Sequence, residues 1–249
     1  MKSTPLRFVW RWLLWLCLAG LALQVAFIGR IALMAVVDPQ STAFQRSEAW
    51  RLATEGHLKW RQQWVSYEQI SPHLKRAVIA SEDDSFTEHD GVDWDALESA
   101  WEKNEKRAQQ AERLAARAKD PNKVKPPKVV GGSTITQQLA KNLLLSGERS
   151  LLRKGQELLL TLALETCLSK RRILEIYLNS VEWGDGIFGA EAAAQRYYGK
   201  SASRLSAYEA ARLAVMLPAP KRYEKRPASG YHNTRAGTIV ARMPSAVLP

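Results

Sequence analysis

Cysteine is scarce. The chain has two in 249 residues, Cys17 inside an apolar run and Cys167 in a helical stretch, so no internal disulfide is expected and redox compartment is left undecided. Alternating apolar and polar residues are also missing between residues 70 and 220, and no internal repeat is found, which leaves an all-α class. The length accommodates one domain with a full core and a short appendage but not a second large domain. Acidic side chains are absent before Asp38, whereas the whole chain carries a net charge of +11. That excess implies an anionic partner: nucleic acid, a phospholipid surface or a phosphorylated substrate. Charge alone does not choose among the three.

What the N-terminus does have is a long apolar run. From Trp12 to Gly29 the one strongly polar side chain is Gln24, and the run resumes after Arg30 from Ile31 to Val37. About 20 apolar residues span the hydrocarbon core, with Arg30 near enough to one end to snorkel. A cleaved signal peptide has a shorter apolar region, about 7–15 residues, so the segment reads as a retained anchor. Lys2, Arg7 and Arg11 precede it, and Trp10, Trp12 and Trp15 suit a membrane interface. The asymmetry predicts a cytoplasmic tail over 1–11, a transmembrane anchor over 12–37 and the remaining chain across the membrane. Residues 38–70 form a juxtamembrane segment. Its Trp50, Trp60 and Trp64 fit either a helix lying near the bilayer or ordinary packing.

Ser71-Pro72 starts a helix whose apolar face carries Leu74, Ala77 and Val78 and which ends in Glu82-Asp83-Asp84. Consecutive carboxylates at the negative end of a helix dipole disfavour further charge, so at least one should hold its proton to higher pH. That is the property of a general base working near neutrality. Phe86 and His89 occupy positions where a calcium loop would place oxygen ligands. A helix from about Asp93 continues to Lys119 and is broken by Asp120-Pro121. Between 102 and 128 nine basic residues oppose four acidic ones, so this stretch buries little and reads as either a mobile lid or a plain solvated insertion.

Gly131-Gly132-Ser133-Thr134 reads as a turn entering a helix, with Thr134, Gln138 and Lys141/Asn142 on one stripe of polar donors. Further helices follow over Leu158–Leu168, after Ser169, over Ala190–Tyr198 and from the capping box at Ser206 to Glu209. Gly184-Asp185-Gly186 is a tight loop.

Together these stretches resemble peptidoglycan glycosyltransferases of glycosyltransferase family 51. Glu82-Asp83-x-x-Phe86-x-x-His89-x-Gly91, Gly131-Gly132-Ser133-Thr134-Ile135-Thr136-Gln137-Gln138-x-x-Lys141-Asn142 and Arg153-Lys154-x-x-Glu157 resemble the first three family motifs. Lys170-x-x-Ile173-Leu174-Glu175-x-Tyr177-Leu178-Asn179, with the glycines that follow, resembles the fourth, and Glu209-Ala210-Ala211-x-Leu213-Ala214 the fifth. The similarity is to the monofunctional biosynthetic members, related to the glycosyltransferase module of class A penicillin-binding proteins. It implies a mainly α, lysozyme-like glycosyltransferase domain over 71–230, with a 102–130 insertion longer than the family's, one N-terminal transmembrane helix and a tail over 231–249.

The implied reaction is polymerisation of lipid II into β-1,4 glycan, with inversion and release of undecaprenyl diphosphate. Glu82 matches the base and Glu157 the second essential glutamate. The implied substrate-binding set is Asp83, Phe86, Ser133, Thr134, Gln138, Lys141, Asn142, Arg149 and Arg153, with Phe86 and His89 weighted toward buttressing. Magnesium or manganese at the diphosphate is left open, metal ligands are unassigned, and no organic cofactor is expected. Implied partners are lipid II, the growing strand and membrane phospholipids, with other cell-wall synthesis or division proteins open and nucleic acid excluded. The implied location is the bacterial inner membrane, single-pass, N-terminus cytoplasmic and catalytic domain periplasmic. The rivals are a lysozyme-like glycan-cleaving enzyme, which would need a proton donor at the leaving sugar oxygen, and a non-catalytic membrane-anchored scaffold for precursor.

Overall fold

Helix starts in this chain are written in hydroxyl side chains. In the computed structural model, which describes residues 5–56, 59–117, 120, 126–127, 129–145, 150–225 and 229–249, α1 (Pro5–Leu33) is followed by α2 (Ala43–Thr54), where Thr42 and Gln45 form a capping box. Ser71 caps α3 (Pro72–Glu82) with Pro72 in the first turn. After α4 (Trp94–Arg117), Thr134 and Gln137 box the start of α5 (Ile135–Leu144). Ser150 caps α6 (Leu151–Cys167) and Ser169 caps α7 (Lys170–Ser180). Then come α8 (Ala190–Tyr198), α9 (Ala207–Met216) with its predicted Ser206–Glu209 box, the short α10 (Pro220–Glu224), and α11 (Gly230–Arg242) capped by Ser229.

At about 1.5 Å per residue α1 is about 43 Å long, more than the hydrocarbon core of about 30 Å. It starts seven residues before the predicted span and ends at Leu33, after which residues 34–36 turn. The inward positions Gln24, Phe27, Ile31 and Met34 recur at helical spacing. Phe27, Ile31 and Met34 join the hydrophobic core of the domain, so the end of the anchor belongs to the globular part.

Helix α3 is the centre of the core. Its Leu74, Ala77, Val78, Ile79 and Ala80 are buried, and it packs against α9 and α11. Alanines at 210, 211 and 214 let α9 approach closely, and α5 packs on α6 and α7. Two expectations are corrected. The 231–249 segment is no tail: its first twelve residues lie in α11, which buries His232, Ala236 and Ile239, and Arg242 reaches Asp84 at 2.6 Å. The loop at Gly184-Asp185-Gly186 joins two strands, β2 (Glu182–Gly184) and β3 (Ile187–Phe188), antiparallel to each other, with β1 (Arg61–Gln62) parallel to β3 in the order β1-β3-β2. Strands of two or three residues are too short to display an alternation. The predicted polar helix through residue 119 is helical to Arg117 among the described residues and mostly exposed.

Gly186 holds this sheet together. Its φ is +72°, its carbonyl accepts from Arg61 N–H at 2.9 Å, and an added Cβ would lie 1.8 Å from the Lys59 carbonyl oxygen. Gly199 also has positive φ, +63°, but faces open space. Gly186→Ala is therefore expected to destabilise by several kcal/mol and Gly199→Ala by about 1–2 kcal/mol. Thermal melts of the two variants side by side check the difference.

Candidate active site

The ends of α3 and α5 are stitched together by one buried carboxylate. Asp83 closes α3; its Oδ2 accepts from the Ile135 N–H in the first turn of α5 at 2.9 Å, and its Oδ1 lies 2.9 Å from His89 Nε2. His89 Nδ1 accepts from Gly91 N–H at 3.1 Å, which leaves Nε2–H to donate to Asp83. Thr134 Oγ1 donates to the Gly91 carbonyl at 2.6 Å while accepting from Gln137 N–H. Phe86 is wholly buried beneath this turn, with the Lys170 ammonium 4.7 Å from its ring centre. Asp83 and Thr134, implied at the substrate, and Phe86, weighted toward buttressing, all face inward and hold the frame. Each has its polar atoms or surface used internally.

Glu82, next to Asp83, is half-buried and held from α5. Gln138 Nε2 donates to its Oε2 at 3.1 Å, and Tyr177 Oη of α7 donates to Gln138 Oε1 at 2.9 Å. That chain fixes the orientation of the amide: with its oxygen taken by the phenol, its NH₂ faces the carboxylate. Burial raises the Glu82 pKa and the Asp83 charge adds to this, against lowering by hydrogen bonds from Gln138 and Ser81 and by the charge of Arg235. Tyr177 is raised well above its ordinary value by burial and by the Glu82 and Asp83 charges, so it stays a donor at neutral pH.

A cleft of about 700 Å³ opens beside Gln138. Gln138, Lys141 and Asn142 of α5 and Arg153 of α6 line it, so the predicted polar stripe faces the opening except at Thr134, which is buried. Ser133 is exposed beside the start of α5, and Arg149 lies outside the described residues. Glu157, predicted at the reaction centre, is buried behind Arg153: its Oε2 pairs with Arg153 Nη1 at 3.1 Å and its Oε1 with the Lys154 ammonium. Both carboxylate oxygens point at cations, and the residue is outside the cleft lining. Neither of the two predicted catalytic glutamates is itself part of the lining: Glu82 lies behind Gln138 and Glu157 is paired with Arg153.

The rest of the lining was not anticipated. Arg46 and Glu48 of α2 and Glu182 of β2 belong to it, and the Lys221 ammonium lies 2.5 Å from Glu48 Oε2 and 3.5 Å from Glu182 Oε1. Burial pushes the Glu182 carboxyl up to about 7, opposed by Lys221 and helped by Glu48. These residues come from three distant segments, none carrying a motif of its own. Tyr177 and Arg235 were also missed as site residues; the first is masked in the sequence by an apolar helix face.

Among the described residues two groups have the spacing of cation ligands, Asp83–His89–Asp93 and Glu48–Glu182–Asp185. The first is committed to hydrogen bonds within the fold, with the Ser85 hydroxyl and the Ala96 N–H donating to Asp93. In the second, an ammonium stands where a divalent ion would bind, since Lys221 is also 3.8 Å from Asp185. Neither group fits a resident metal.

Two measurements check this arrangement. Tyr177→Phe frees the Gln138 oxygen and should cost about 1 kcal/mol by removing one buried hydrogen bond, with Gln138 able to flip away from Glu82; urea unfolding measures the loss. Glu182 gives a pH signature. Its folded pKa lies above the ordinary carboxylate value, so its stabilising contribution is complete below about 4.5 and lost as pH rises through about 7. In Glu182→Gln the fall in Tm between pH 5 and pH 8.5 should be smaller than in the wild type.

A family model described as Transglycosylase matches residues 51–244. Three curated relatives, each called biosynthetic peptidoglycan transglycosylase, are similar over nearly the whole chain. The protein from Paraburkholderia phytofirmans is 50% identical over 244 residues, covering 96% of this chain and 94% of its own. That from Burkholderia thailandensis is 51% identical over 243 residues (94% and 88%), and that from Burkholderia pseudomallei 53% identical over 232 residues (93% and 84%).

Proposed function

Because the chain belongs to the peptidoglycan transglycosylases, glycosyltransferases that act on lipid II and glycan strands, we propose that the Glu82 carboxylate, held by Gln138 beside a cleft lined by Lys141 and Arg153, is the base that joins one lipid-linked sugar to the next. The reaction is polymerisation of lipid II into β-1,4-linked glycan. The acceptor 4-hydroxyl oxygen attacks the anomeric carbon of the donor from the face opposite its diphosphate. The O–H proton passes to Glu82 as the new C–O bond forms. The old bond from the anomeric carbon to the diphosphate oxygen breaks, and its electron pair leaves on the diphosphate, so configuration inverts.

One observation carries the assignment of Glu82. Burial makes it more basic, and it differs from Glu182, which burial also raises, in having a cleft-lining amide pointed at it. A diphosphate leaving group needs cations rather than a proton donor, and Lys141 and Arg153 supply them. Arg149 is proposed with them from its place in the sequence. Asn142 and Ser133 are proposed to meet sugar or phosphate oxygens at the rim. Glu157 holds Arg153 extended toward the cleft, which is how a second essential glutamate can act without touching sugar. Magnesium or manganese, if used, would enter on the diphosphate oxygens, since neither carboxylate group described above suits it.

Helix α1 is long and apolar enough to cross a membrane and, with the family assignment, anchors the enzyme in one. The proposed orientation places the N-terminus in the cytoplasm and the catalytic domain in the periplasm of a bacterial inner membrane. Arg7 and Arg11, with no acidic residue before Asp38, support it. Phospholipids are then unavoidable neighbours; cell-wall or division proteins as partners are a further proposal.

The test is incubation of the full-length protein in detergent with labelled lipid II. Wild type is expected to form polymer, and Glu82→Gln, with an unchanged melting temperature, to lose activity by about 100-fold or more. Soluble fragments from purified cell wall with no lipid II consumed would instead identify a cleaving enzyme, and equal polymer from both proteins would remove Glu82 from the chemistry.

A further inference from the structure

The strongly polar residue within the anchor's apolar run has a partner. Gln24 of α1 and Gln156 of α6 exchange two side-chain hydrogen bonds, Gln24 Nε2 to Gln156 Oε1 at 2.7 Å and Gln156 Nε2 to Gln24 Oε1 at 3.0 Å, across 132 residues of sequence. Both side chains are half-buried. Gln24 is the first member of the inward stripe that continues through Phe27, Ile31 and Met34, so it is the membrane-side end of the contact between anchor and domain. Counting from Arg30, six residues at about 1.5 Å each put Gln24 about 9 Å deeper into the apolar part of the helix. On α6 the exposed side chains Leu152 and Leu159, about one turn before and after, flank Gln156.

An amide in such surroundings has no water to bond. Unpaired, it would cost several kcal/mol; paired reciprocally, each amide satisfies the other in one fixed orientation. Simple tethering does not require this, because a leucine at either position would pack in an apolar contact with no penalty. The consequence lies one residue and one turn away. Gln156 adjoins Glu157 and is three residues from Arg153, so the pair fixes the rotation of the very turn of α6 that presents the guanidinium to the cleft.

We propose that Gln24 and Gln156 are positioning residues: their reciprocal amide pair, set in the apolar surroundings shared by α1 and α6, holds Arg153 at its place in the cleft and makes the anchor helix a working part of the diphosphate site. The inference rests on the reading of Arg153 as a diphosphate ligand. No covalent step is involved; the pair acts on where the cation stands when the leaving group departs.

The experiment uses full-length protein reconstituted in phospholipid vesicles with lipid II, comparing wild type, Gln24→Leu, Gln156→Leu and the double variant, each in the Arg153 and the Arg153→Lys background. The leucine pair keeps volume and apolar packing, so the double variant guards against a single variant that fails to fold. Each single change is expected to lower kcat about tenfold with KM for lipid II within about twofold. The double variant should be no worse than either single one, and none should have a further effect in the Arg153→Lys background. Equal losses in both backgrounds, or wild-type kcat in the single and double variants, would overturn the proposal. Failure of wild type to form any polymer would instead overturn the functional reading beneath it, so the two failures are distinguishable.

Discussion

Everything at the site depends on where the Asp83 carboxylate is held. A buried charge is expensive unless each oxygen is met, and here one oxygen is met by the first amide of α5 and the other by a histidine whose second nitrogen is bonded to Gly91 N–H. The positive end of the α5 dipole is aimed at the same carboxylate. The result is a fixed junction between the end of α3 and the start of α5. It leaves Glu82, one residue earlier, facing Gln138, one turn into the helix. Removing the strut would leave a buried amide unpaired and would release both halves of the site.

From this junction the site divides by distance from the membrane anchor. Glu82 sits at the end of α3, the core helix on which α9 and α11 pack. The cations sit on α5 and α6, and α6 rests on α1. A glycosyl transfer between two lipid-linked substrates needs both halves in register, because the nucleophile is activated at one end and the charge of the leaving group is absorbed at the other. Glu157 and Gln156, adjacent on α6, address the two sides of that helix, one toward the cation in the cleft and one toward the anchor.

Much of this was legible because local chemistry and global fold agree. Hydroxyl caps at Ser71, Thr134, Ser169 and Ser206 start helices where they were expected, and Gln138, Lys141 and Asn142 face an opening because an apolar core has no place for them, while Thr134 at the head of the same stripe is buried as the cap. What was not legible depends on contacts between remote segments. Tyr177 sits among Ile173, Leu174 and Ile176, so its ring reads as core; only the approach of α5 gives its hydroxyl an acceptor. The charge of Arg235 acts on Glu82 from a segment read as a tail, and Glu48, Glu182 and Lys221 meet only through the approach of segments far apart in sequence. Glu157 was placed correctly on the face of Arg153 by its spacing. Which of the two lines the cleft is set by burial, and spacing does not report it.

The central claim is that the fold makes Glu82 an unusually basic carboxylate and keeps it hydrogen-bonded to Gln138. Carboxyl carbon-13 NMR of the full-length protein in micelles, with labelled glutamate and Glu82→Gln used to assign the signal, measures this without substrate. The account requires a Glu82 titration above the ordinary glutamate range, moving higher still in Gln138→Leu once the favourable amide is gone. A midpoint near 4.5 that is unmoved by Gln138→Leu would contradict it.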